Sequence, residues 1–444
     1  MVSVAVRGTR LWRALGAGAT LPLVVAAACT TARGTSTGNS TGATDANTPV
    51  VAKSHSPRPH PHPHPLPNLV ITPASGSENV APGQGLTVRS LPGNTITHVN
   101  VQTAGDPVVG TFNSDYTSWH SNWALGVSQT YTVTATGVDQ AGDPVEVKST
   151  FRTLTPTQTF STQIFEGYML TYGVGMPIDL VFSTPISDKA AVERALQLTT
   201  SKPVVGAWYW SGDQRVDFRP RTYWPAGTVV NFVGHFNGVE GAPGVYGYHT
   251  LTQSFVIGPS LIVVAGTQTH YMDVYYQGKQ VYHWPISTGR ATLPTPNGTY
   301  VTVNKANPQL MVGPGYRLEV PWSVRFTLSG DFLHAAPWSV GAQGFVNVSH
   351  GCVNMPPADA EIYYKMAVTG DPVTVTGSPA KGTYGDGFTQ WFLSWDELLA
   401  GSATHEAVVA GPQGSTFVSP SSVPAPHATA PLETSPMNNW TATA

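Results

Sequence analysis

Short runs of alternating apolar and polar residues recur from residue 68 to residue 258, and turns rich in Gly, Pro, Asp and Asn separate them. Examples are "GLTVRSL", "QTYTVTATGVD", "RVDFRPRT" and "TLTQSFVIG". Short strands at spacings of roughly ten residues are typical of antiparallel β-sandwiches. We therefore predict two immunoglobulin-like modules in series, at 68–155 and 156–258, which act as scaffold or spacers. One helix is expected in the second module, at "SDKAAVERALQL", with Ser187 or Asp188 as its N-cap.

The composition agrees with a mainly β protein of several domains. The chain has 444 residues, which is too long for a single core. Charged residues are only 11% of the chain, while Gly (45) and Pro (38) are abundant. The net charge of −3 gives no reason to expect a nucleic-acid partner.

Residues 1–28 have the pattern of a signal peptide. A basic start is followed by an apolar run from Ala14 to Ala28, which is shorter than the ~20 residues that a membrane span needs. The run ends at Ala-Ala-Ala-Cys, which suits either an ordinary signal peptidase or, with Cys29 as the lipid attachment site, a lipoprotein signal. We favour lipidation of Cys29, although the usual Leu or Val three residues earlier is missing. An uncleaved anchor is the third alternative. All three would export the protein to the outer face of the cytoplasmic membrane, the periplasm or the cell wall.

Residues 29–67 read as a linker that is flexible at first and then stiffened by proline. Within "SPRPHPHPHPLP", His60, His62 and His64 could chelate a metal, but a solvated Pro-His spacer is the preferred interpretation. We expect no metal and no cofactor.

Residues 259–377 differ in character from the modules. "SLIVVAGTQTHYMDVYYQGKQVYHWPISTG" predicts paired strands with a turn near Gln277-Gly278, and "PPADAEIYYKMAVTG" predicts the one clear helix, which ends before Gly370. Trp391 and Trp395 lie in a segment, 378–402, that we expect to form a small C-terminal subdomain packed on this domain. Residues 403–444 are rich in Ser, Pro, Ala and Thr and are expected to be disordered.

Cys352, in "GFVNVSHGCVNM", is one of two cysteines, and the other is Cys29. A disulfide between them would tie the leader to the far end of the chain, so we expect a free thiol that is kept for use. A cysteine nucleophile needs a base and oxyanion donors. The neighbouring Gly351 and Asn354 can supply donors, and His334 or His350 can supply the base, with His334 favoured if its strand end faces the thiol. The alternative is that His350 and Cys352 are core residues of a strand turn.

At these residues the chain resembles the L,D-transpeptidases of bacterial cell walls, which have a YkuD-type catalytic domain. "HAAPWSVGAQGFVNVSHGCVN" fits the family pattern from His334 to Asn354, and "STG" at 287–289 and "TPNGTY" at 295–300 also match. The resemblance covers 259–400. Two immunoglobulin-like domains on an exported leader resemble the actinobacterial, especially mycobacterial, members.

The resemblance implies a role for each matching residue. Cys352 would be the nucleophile, His334 the general base and acid, and the N–H groups of Gly351 and Cys352 the oxyanion hole. The residues implied to bind substrate are Met311, Tyr316, Ser329, Gly330, Trp338, His350 and Asn354. Ala335 departs from many members, which have Ser there, and this is harmless if only its carbonyl holds the imidazole.

The implied partners are peptidoglycan stem peptides, a donor tetrapeptide and an acceptor amine, together with β-lactams such as carbapenems. The implied reaction releases D-Ala through a thioester on Cys352 and forms a 3→3 cross-link. Hydrolysis by the same site would make the protein an L,D-carboxypeptidase, and a further variant attaches wall proteins to the stem. From a different class, the rival hypothesis is a non-catalytic wall-binding module.

Overall fold

The structure is a computed structural model that describes residues 68–313 and 316–423 of the chain. The predicted signal peptide, Cys29 and the Pro/His-rich linker therefore lie outside the described residues. Strands dominate the described part, so the prediction of a mainly β fold is confirmed. None of the helices in that part is long and apolar enough to cross a membrane.

The first module is a sandwich of two antiparallel sheets with one core between them. Its strands are β1 (Leu69–Thr72), β2 (Thr87–Ser90), β3 (Thr95–Gln102), β4 (Gly110–Phe112), β5 (Ser118–Ser121), β6 (Thr130–Val138) and β7 (Pro144–Arg152). One sheet has the order β1-β2-β5-β4 and the other β3-β6-β7. Alternate residues of β6, such as Tyr131 and Val133, are buried beside Trp119, as the period of two predicts.

The second module has more and shorter strands. They are β8 (Gln158–Phe160), β9 (Thr162–Ile164), β10 (Thr171–Tyr172), β11 (Ile178–Phe182), β12 (Leu196–Thr200), β13 (Val204–Trp210), β14 (Arg215–Pro220), β15 (Val229–Gly234), β16 (Glu240–Ala242), β17 (Val245–Gly247) and β18 (Leu251–Ile257). One sheet has the order β10-β18-β15-β12, and a small one has the order β16-β17-β8. A third sheet contains β13-β14-β11-β9.

The helix predicted in this module is shorter than expected. α1 (Lys189–Arg194) begins at Asp188, whose carboxylate accepts a hydrogen bond from the Ala191 N–H at 3.0 Å, so one of the two predicted caps is confirmed. The remaining residues enter β12, where Leu196 and Leu198 are buried with a period of two. Pairing with β15 therefore overrides the helical pattern at the end of the segment.

The third region consists of two sheets, a hairpin and one main helix. Its strands are β19 (Leu261–Gly266), β20 (Tyr271–Tyr276), β21 (Lys279–Pro285), β22 (Gly298–Val301), β23 (Asn304–Ala306), β24 (Gln309–Gly313), β25 (Tyr316–Val320), β26 (Ser323–Arg325), β27 (Phe332–Ala335), β28 (Val353–Met355) and β29 (Pro372–Thr376). The sheets have the orders β21-β20-β19-β29-β22 and β23-β26-β27-β28, and β24 and β25 form a two-stranded sheet. The helix α2 (Pro357–Met366) buries Tyr363 and ends before Gly370, as predicted.

The segment at 378–402 contacts the third region, where the prediction placed it, and also the second module, which the prediction did not include. Phe392 contacts Tyr300 of β22, with ring centroids 4.9 Å apart. Trp391 is buried in the core of the second module instead, and its indole N–H donates to the Gly175 carbonyl at 2.7 Å. The segment ends in α3 (Trp395–Ala400), which begins at the capping residue Ser394.

The prediction of disorder at 403–444 is wrong for the first part of that segment. β30 (Ala407–Gly411) and β31 (Gly414–Val418) form an antiparallel hairpin. β30 pairs with β13, with Val204 opposite Ala410, and the sheet of the second module becomes β31-β30-β13-β14-β11-β9. The composition alone could not reveal this hairpin because its sheet partner lies about 200 residues earlier in the chain. Residues 424–444 lie outside the described part.

Candidate active site

Two parallel strands bring the candidate catalytic residues together. β27 pairs with β28 in a register that sets His334 opposite Asn354. Cys352 directly precedes β28, two residues before Asn354, and alternate residues of a strand share one face. The pairing therefore predicts one common face for His334, Cys352 and Asn354, and all three side chains line the same cavity.

That cavity has a volume of about 330 Å³, which is within the usual range for small-ligand sites. Its lining includes seven of the predicted site residues: Met311, Tyr316, His334, Trp338, His350, Cys352 and Asn354. The other lining residues are Leu318, Val320, Ser339, Val348 and Ser349. None of these twelve residues is a Lys, Arg, Asp or Glu, so the walls carry no permanent charge.

Partly exposed aromatic side chains form two walls of the cavity. Tyr316, on the hairpin of β24 and β25, is 39% exposed and its ring lies 5.4 Å from that of His350. Trp338, in the 3-10 helix Pro337–Ser339, is 54% exposed and its ring lies 6.0 Å from that of His334. Because both rings expose apolar surface at the cavity, a bound peptide would bury surface that is now in contact with water.

Hydrogen bonding sets the tautomer of His334. Its Nδ1 lies 2.9 Å from the Ala335 carbonyl, which can only accept, so Nδ1 carries the proton and Nε2 has a free lone pair. This agrees with the expectation that residue 335 contributes only its backbone carbonyl. Burial lowers the pKa of His334 to about 4, so the imidazole is neutral near pH 7.

The thiol of Cys352 is protonated in this state. Burial and the nearby carboxylate of Asp331 raise the pKa of Cys352 to about 12, while the Phe332 N–H acts in the opposite direction. Sγ lies 3.8 Å from the Gly330 carbonyl, which accepts a weak S–H hydrogen bond. The thiol and the imidazole are therefore both neutral, so proton transfer must accompany attack on a substrate rather than precede it.

His350 is not a suitable base in this arrangement. Arg290 Nη1 lies 2.7 Å from His350 Nε2, and because a guanidinium can only donate, Nε2 must accept. That lone pair is therefore already occupied. Of the two histidines that the sequence offered, His334 has the free nitrogen in the cavity.

The turn before Cys352 requires glycine, and the N–H of that glycine already has a hydrogen-bond partner. Gly351 has a φ of 132°, and a Cβ there would lie 2.4 Å from an oxygen of Asp331. Its N–H donates to Ser349 Oγ at 3.2 Å, and the Ser349 hydroxyl donates to the Cys352 carbonyl at 2.6 Å. The Gly351 N–H therefore already has a partner without substrate, and its role in an oxyanion hole stays a prediction.

Two predicted substrate contacts lie beside the cavity rather than in its lining. The hydroxyl of Ser329 donates to Asp386 at 2.6 Å, and the Ser329 side chain is exposed to solvent. Gly330 contributes its carbonyl to the thiol, as described above. The amide of Asn354 lines the cavity but donates to Ser339 at 3.0 Å, so it also braces the neighbouring turn.

Sequence analysis missed three residues at this site. Asp331 packs against Gly351 and raises the pKa of the Cys352 thiol. Arg290 donates a hydrogen bond to Nε2 of His350. The Thr295 hydroxyl donates to the Gly351 carbonyl. Arg290 directly follows "STG" and Thr295 is the first residue of "TPNGTY", and both stretches were noticed only for their resemblance. No local pattern marked Asp331, because its neighbours are set by the fold.

Comparison with known proteins identifies two kinds of domain in the chain. Residues 77–240 match the bacterial Ig domain and residues 259–375 match the L,D-transpeptidase catalytic domain. L,D-transpeptidase 5 of Mycobacterium tuberculosis is 37% identical over 350 residues, which cover 76% of this chain and 77% of the relative. L,D-transpeptidase 2 of the same species is 32% identical over 349 residues, which cover 76% and 85%.

Among solved structures, LdtMt1 in complex with imipenem aligns with a TM-score of 0.43 and 31% identity, over 50% of this chain and 100% of that one. The matches to the two relatives, at 350 and 349 residues, are longer than the catalytic domain and so must include part of the region before it. Sequence identity, coverage and the domain match together establish that the chain belongs to the L,D-transpeptidase family.

Proposed function

We propose that this protein forms 3→3 cross-links in peptidoglycan by acyl transfer through Cys352. The observation that carries the proposal is the shared cavity of Cys352 and His334, whose Nε2 has a free lone pair. A thiol and a neutral imidazole in one cavity supply the nucleophile and the general base that nucleophilic acyl transfer needs. Membership of the family supports the same conclusion.

The first half-reaction uses a stem tetrapeptide that ends in D-Ala as the donor. The Sγ atom of Cys352 attacks the carbonyl of the third residue, at its L-centre, while the thiol proton passes to His334 Nε2. The tetrahedral intermediate then collapses, and the bond to the D-Ala nitrogen breaks. His334 returns the proton to that nitrogen, D-Ala leaves, and a thioester remains on Cys352.

The second half-reaction uses the side-chain amine of a diamino acid on a neighbouring stem. The amine attacks the thioester carbonyl, His334 takes the amine proton, and the thiolate leaves and is reprotonated. The thioester conserves the acyl energy of the original peptide bond, so the reaction needs no ATP outside the cell. Water in place of the amine would give the carboxypeptidase reaction, and the naming of both relatives as transpeptidases favours the amine.

We assign the Cys352 N–H as the first donor to the oxyanion. Removing one such donor typically costs about 10²–10³-fold in rate. The Gly351 N–H can join it only by exchanging its hydrogen bond with Ser349 Oγ for one with substrate. If the Gly351 N–H joins, the Ser349–Gly351 turn has to adjust when substrate binds.

We propose further that the same thiol is acylated by β-lactams. Their strained amide presents a carbonyl to the same donors, and attack by Sγ opens the ring and leaves a thioester. Carbapenems should give lasting adducts and most penicillins poor ones. Intact mass after meropenem treatment should rise by one drug mass, mapped to residue 352, and an equal adduct on a Cys352→Ala variant would contradict the assignment.

We propose that the protein acts outside the cytoplasm and is held at the outer face of the cytoplasmic membrane by a lipid on Cys29. The support is the leader sequence and the location of peptidoglycan itself. A mass spectrum of the mature N-terminus tests this. A cleaved terminus without a lipid at residue 29 would contradict the anchor.

The central test is a donor–acceptor assay on the exported chain without its proposed lipid site, residues 30–444, with D-Ala and dimer measured by mass. Cys352→Ala should abolish both products, and His334→Gln should lower the rate by at least ~10²-fold. His283→Gln is the matched control, because this histidine is exposed and lies outside the cavity lining. D-Ala release without dimer would favour carboxypeptidase activity, and full activity of Cys352→Ala would overturn the proposal.

The protonation state gives a second test. Because burial raises the pKa of Cys352 to about 12, the reactive thiolate fraction should rise about tenfold per pH unit between pH 6 and pH 10. Alkylation by iodoacetamide in the absence of substrate should follow that slope. A plateau near pH 7 would mean that the resting site holds a thiolate.

A further inference from the structure

Arg290 lies beside the catalytic cavity, where its backbone and its side chain both contact the loop that carries Cys352. Within residues 68–313 and 316–423, no carboxylate forms an ion pair with it. Its own N–H donates to the Ser349 carbonyl at 3.0 Å, and Gly289 forms a β-bridge with Ser349. The backbone therefore fixes Arg290 to the loop that carries Cys352.

The side chain of Arg290 is also oriented. Its Nε donates to Thr292 Oγ1 at 3.1 Å, and its Nη1 donates to His350 Nε2 at 2.7 Å. No hydrogen bond in the described part uses Nη2, so this nitrogen can still donate. Because His350 Nε2 accepts, a neutral His350 ring carries its proton on Nδ1, which is a second donor at the cavity.

A fixed cation with free donors, at the edge of a cavity that has no charged wall, suits an anionic group of the ligand. Arginine is the side chain best matched to a planar carboxylate. We propose that Arg290 and His350 form a carboxylate-binding subsite that recognises the C-terminal carboxylate of the D-alanine that leaves the donor peptide. This inference rests on the function proposed above.

The position fits the leaving residue. The carboxylate carbon of a terminal residue lies only three bonds from the carbonyl carbon that Cys352 attacks. His350 is two residues from Cys352, so their Cα atoms are at most roughly 7 Å apart, and both side chains line the same cavity. A carboxylate near the thiol is therefore within reach of the donors on His350 and Arg290, whereas charges farther along the stem peptide are not constrained to lie there.

The test compares two donors, a tetrapeptide ending in D-alanine and the same peptide ending in D-alanine amide, using the exported chain and release of the terminal residue. Arg290→Gln should raise KM for the acid about tenfold, as expected for a half-exposed charge-assisted contact, and leave kcat and the amide nearly unchanged. Arg290→Lys should restore part of the loss, because it keeps the charge without the fork. Added salt should weaken binding of the acid to wild type but not to Arg290→Gln.

Arg317→Gln provides the matched control, since Arg317 is an exposed cation on the β25 strand of the cavity hairpin and the substitution makes the same change in net charge. An equal loss on acid and amide would mean that Arg290 only supports the loop, and an equal effect of Arg317→Gln would mean general attraction. No effect on either donor would also overturn the subsite. Failure of the proposed function would look different, because wild type would then release neither product.

Discussion

The two immunoglobulin-like modules have similar layers but different relations to the catalytic domain. The core of the first module contains only residues between 69 and 151. The core of the second includes Ile262 and Val301 from the catalytic domain, and Val408 and Ala410 from the C-terminal hairpin. The second module is therefore structurally part of the catalytic unit, whereas the first has a core of its own.

The contacts between neighbouring regions differ in the same way. The second module meets the catalytic domain through its backbone: Gly173 N–H donates to the Thr369 carbonyl at 2.8 Å and Gly175 N–H to the Gly370 carbonyl at 2.9 Å. A Cβ on Gly173 would lie 2.2 Å from the amide nitrogen of Asp371, so only glycine allows this approach. Such an interface has little freedom to adjust.

The hydrogen bonds between the first module and the second use side chains rather than backbone pairs. Asp106 accepts hydrogen bonds from Thr250 at 2.8 Å and from Asn237 at 3.3 Å, and Trp123 stacks on His235 with centroids 3.8 Å apart. Side-chain contacts of this kind can separate without unfolding either module. We therefore expect deletions and core substitutions in the two modules to change the stability and activity of the catalytic unit to different extents.

The largest effect is expected from removing the C-terminal hairpin. A chain ending at Ser402 lacks β30 and β31 and exposes the edge of β13, so its midpoint of thermal unfolding should fall by more than about 10 °C. Deleting residues 68–155 instead should shift the midpoint of the remainder by no more than about 3 °C. Differential scanning calorimetry measures both. Equal shifts would contradict the conclusion that the second module, unlike the first, is part of the catalytic unit.

Trp391→Ala is expected to have the next largest effect, at about 3–5 kcal/mol of unfolding free energy for a buried Trp. Trp391 is 1% exposed and holds the second module to the segment after the catalytic domain, so D-Ala release should be lost at the same temperature as the fold. Trp119→Ala, in the first module, should cost a similar amount but leave D-Ala release intact. Loss of release in Trp119→Ala at 25 °C would show that the first module is not independent.

Glu193→Gln should destabilise the second module by about 1–3 kcal/mol. The buried carboxylate accepts from Trp210 Nε1 at 3.0 Å, the Ala403 N–H at 2.8 Å, Ser402 Oγ at 2.5 Å and Thr404 Oγ1 at 2.6 Å. An amide places an NH₂ group against two of these donors. Urea unfolding should show a lower midpoint with an unchanged slope. An unchanged midpoint would mean that these bonds do not hold the C-terminal segment.

The smallest effect is expected at the contact between the modules. Burial lowers the pKa of His235 to about 4, against an ordinary value of 6.5, while Asp106 acts in the opposite direction. The contact therefore favours neutral His235. Its stabilisation is present above pH 6.5 and is lost as the pH falls from 6.5 toward 4.

When the pH is lowered from 7 to 4.5, the hydrogen-exchange protection of amides around Trp123 should fall and the radius of gyration should rise. His235→Phe keeps the stacking without the titration and should remove this pH dependence. If the variant shows the same dependence as wild type, another group is responsible. Transpeptidation of soluble peptides should not follow the change.

Patterns within short segments made much of the architecture predictable. The alternation in β6, the turn at Gln277-Gly278 and the helix that ends before Gly370 all depend on residues close in sequence. The catalytic region was identified by resemblance, because the stretch from His334 to Asn354 matches a motif of the family. The predictions went wrong where a distant strand supplied the partner, as for the end of α1 and the segment at 407–418.

By itself the sequence determined the period of the strands, the resemblance to the family, and the choice of cysteine and histidine as candidates. Those properties depend on local chemistry and local turns. Only the tertiary structure decided that His334 rather than His350 has the free nitrogen, because that depends on Ala335 and Arg290. It alone also decided that the C-terminal hairpin completes the second module, because a strand edge specifies hydrogen-bonding geometry but not the distance along the chain from which its partner comes.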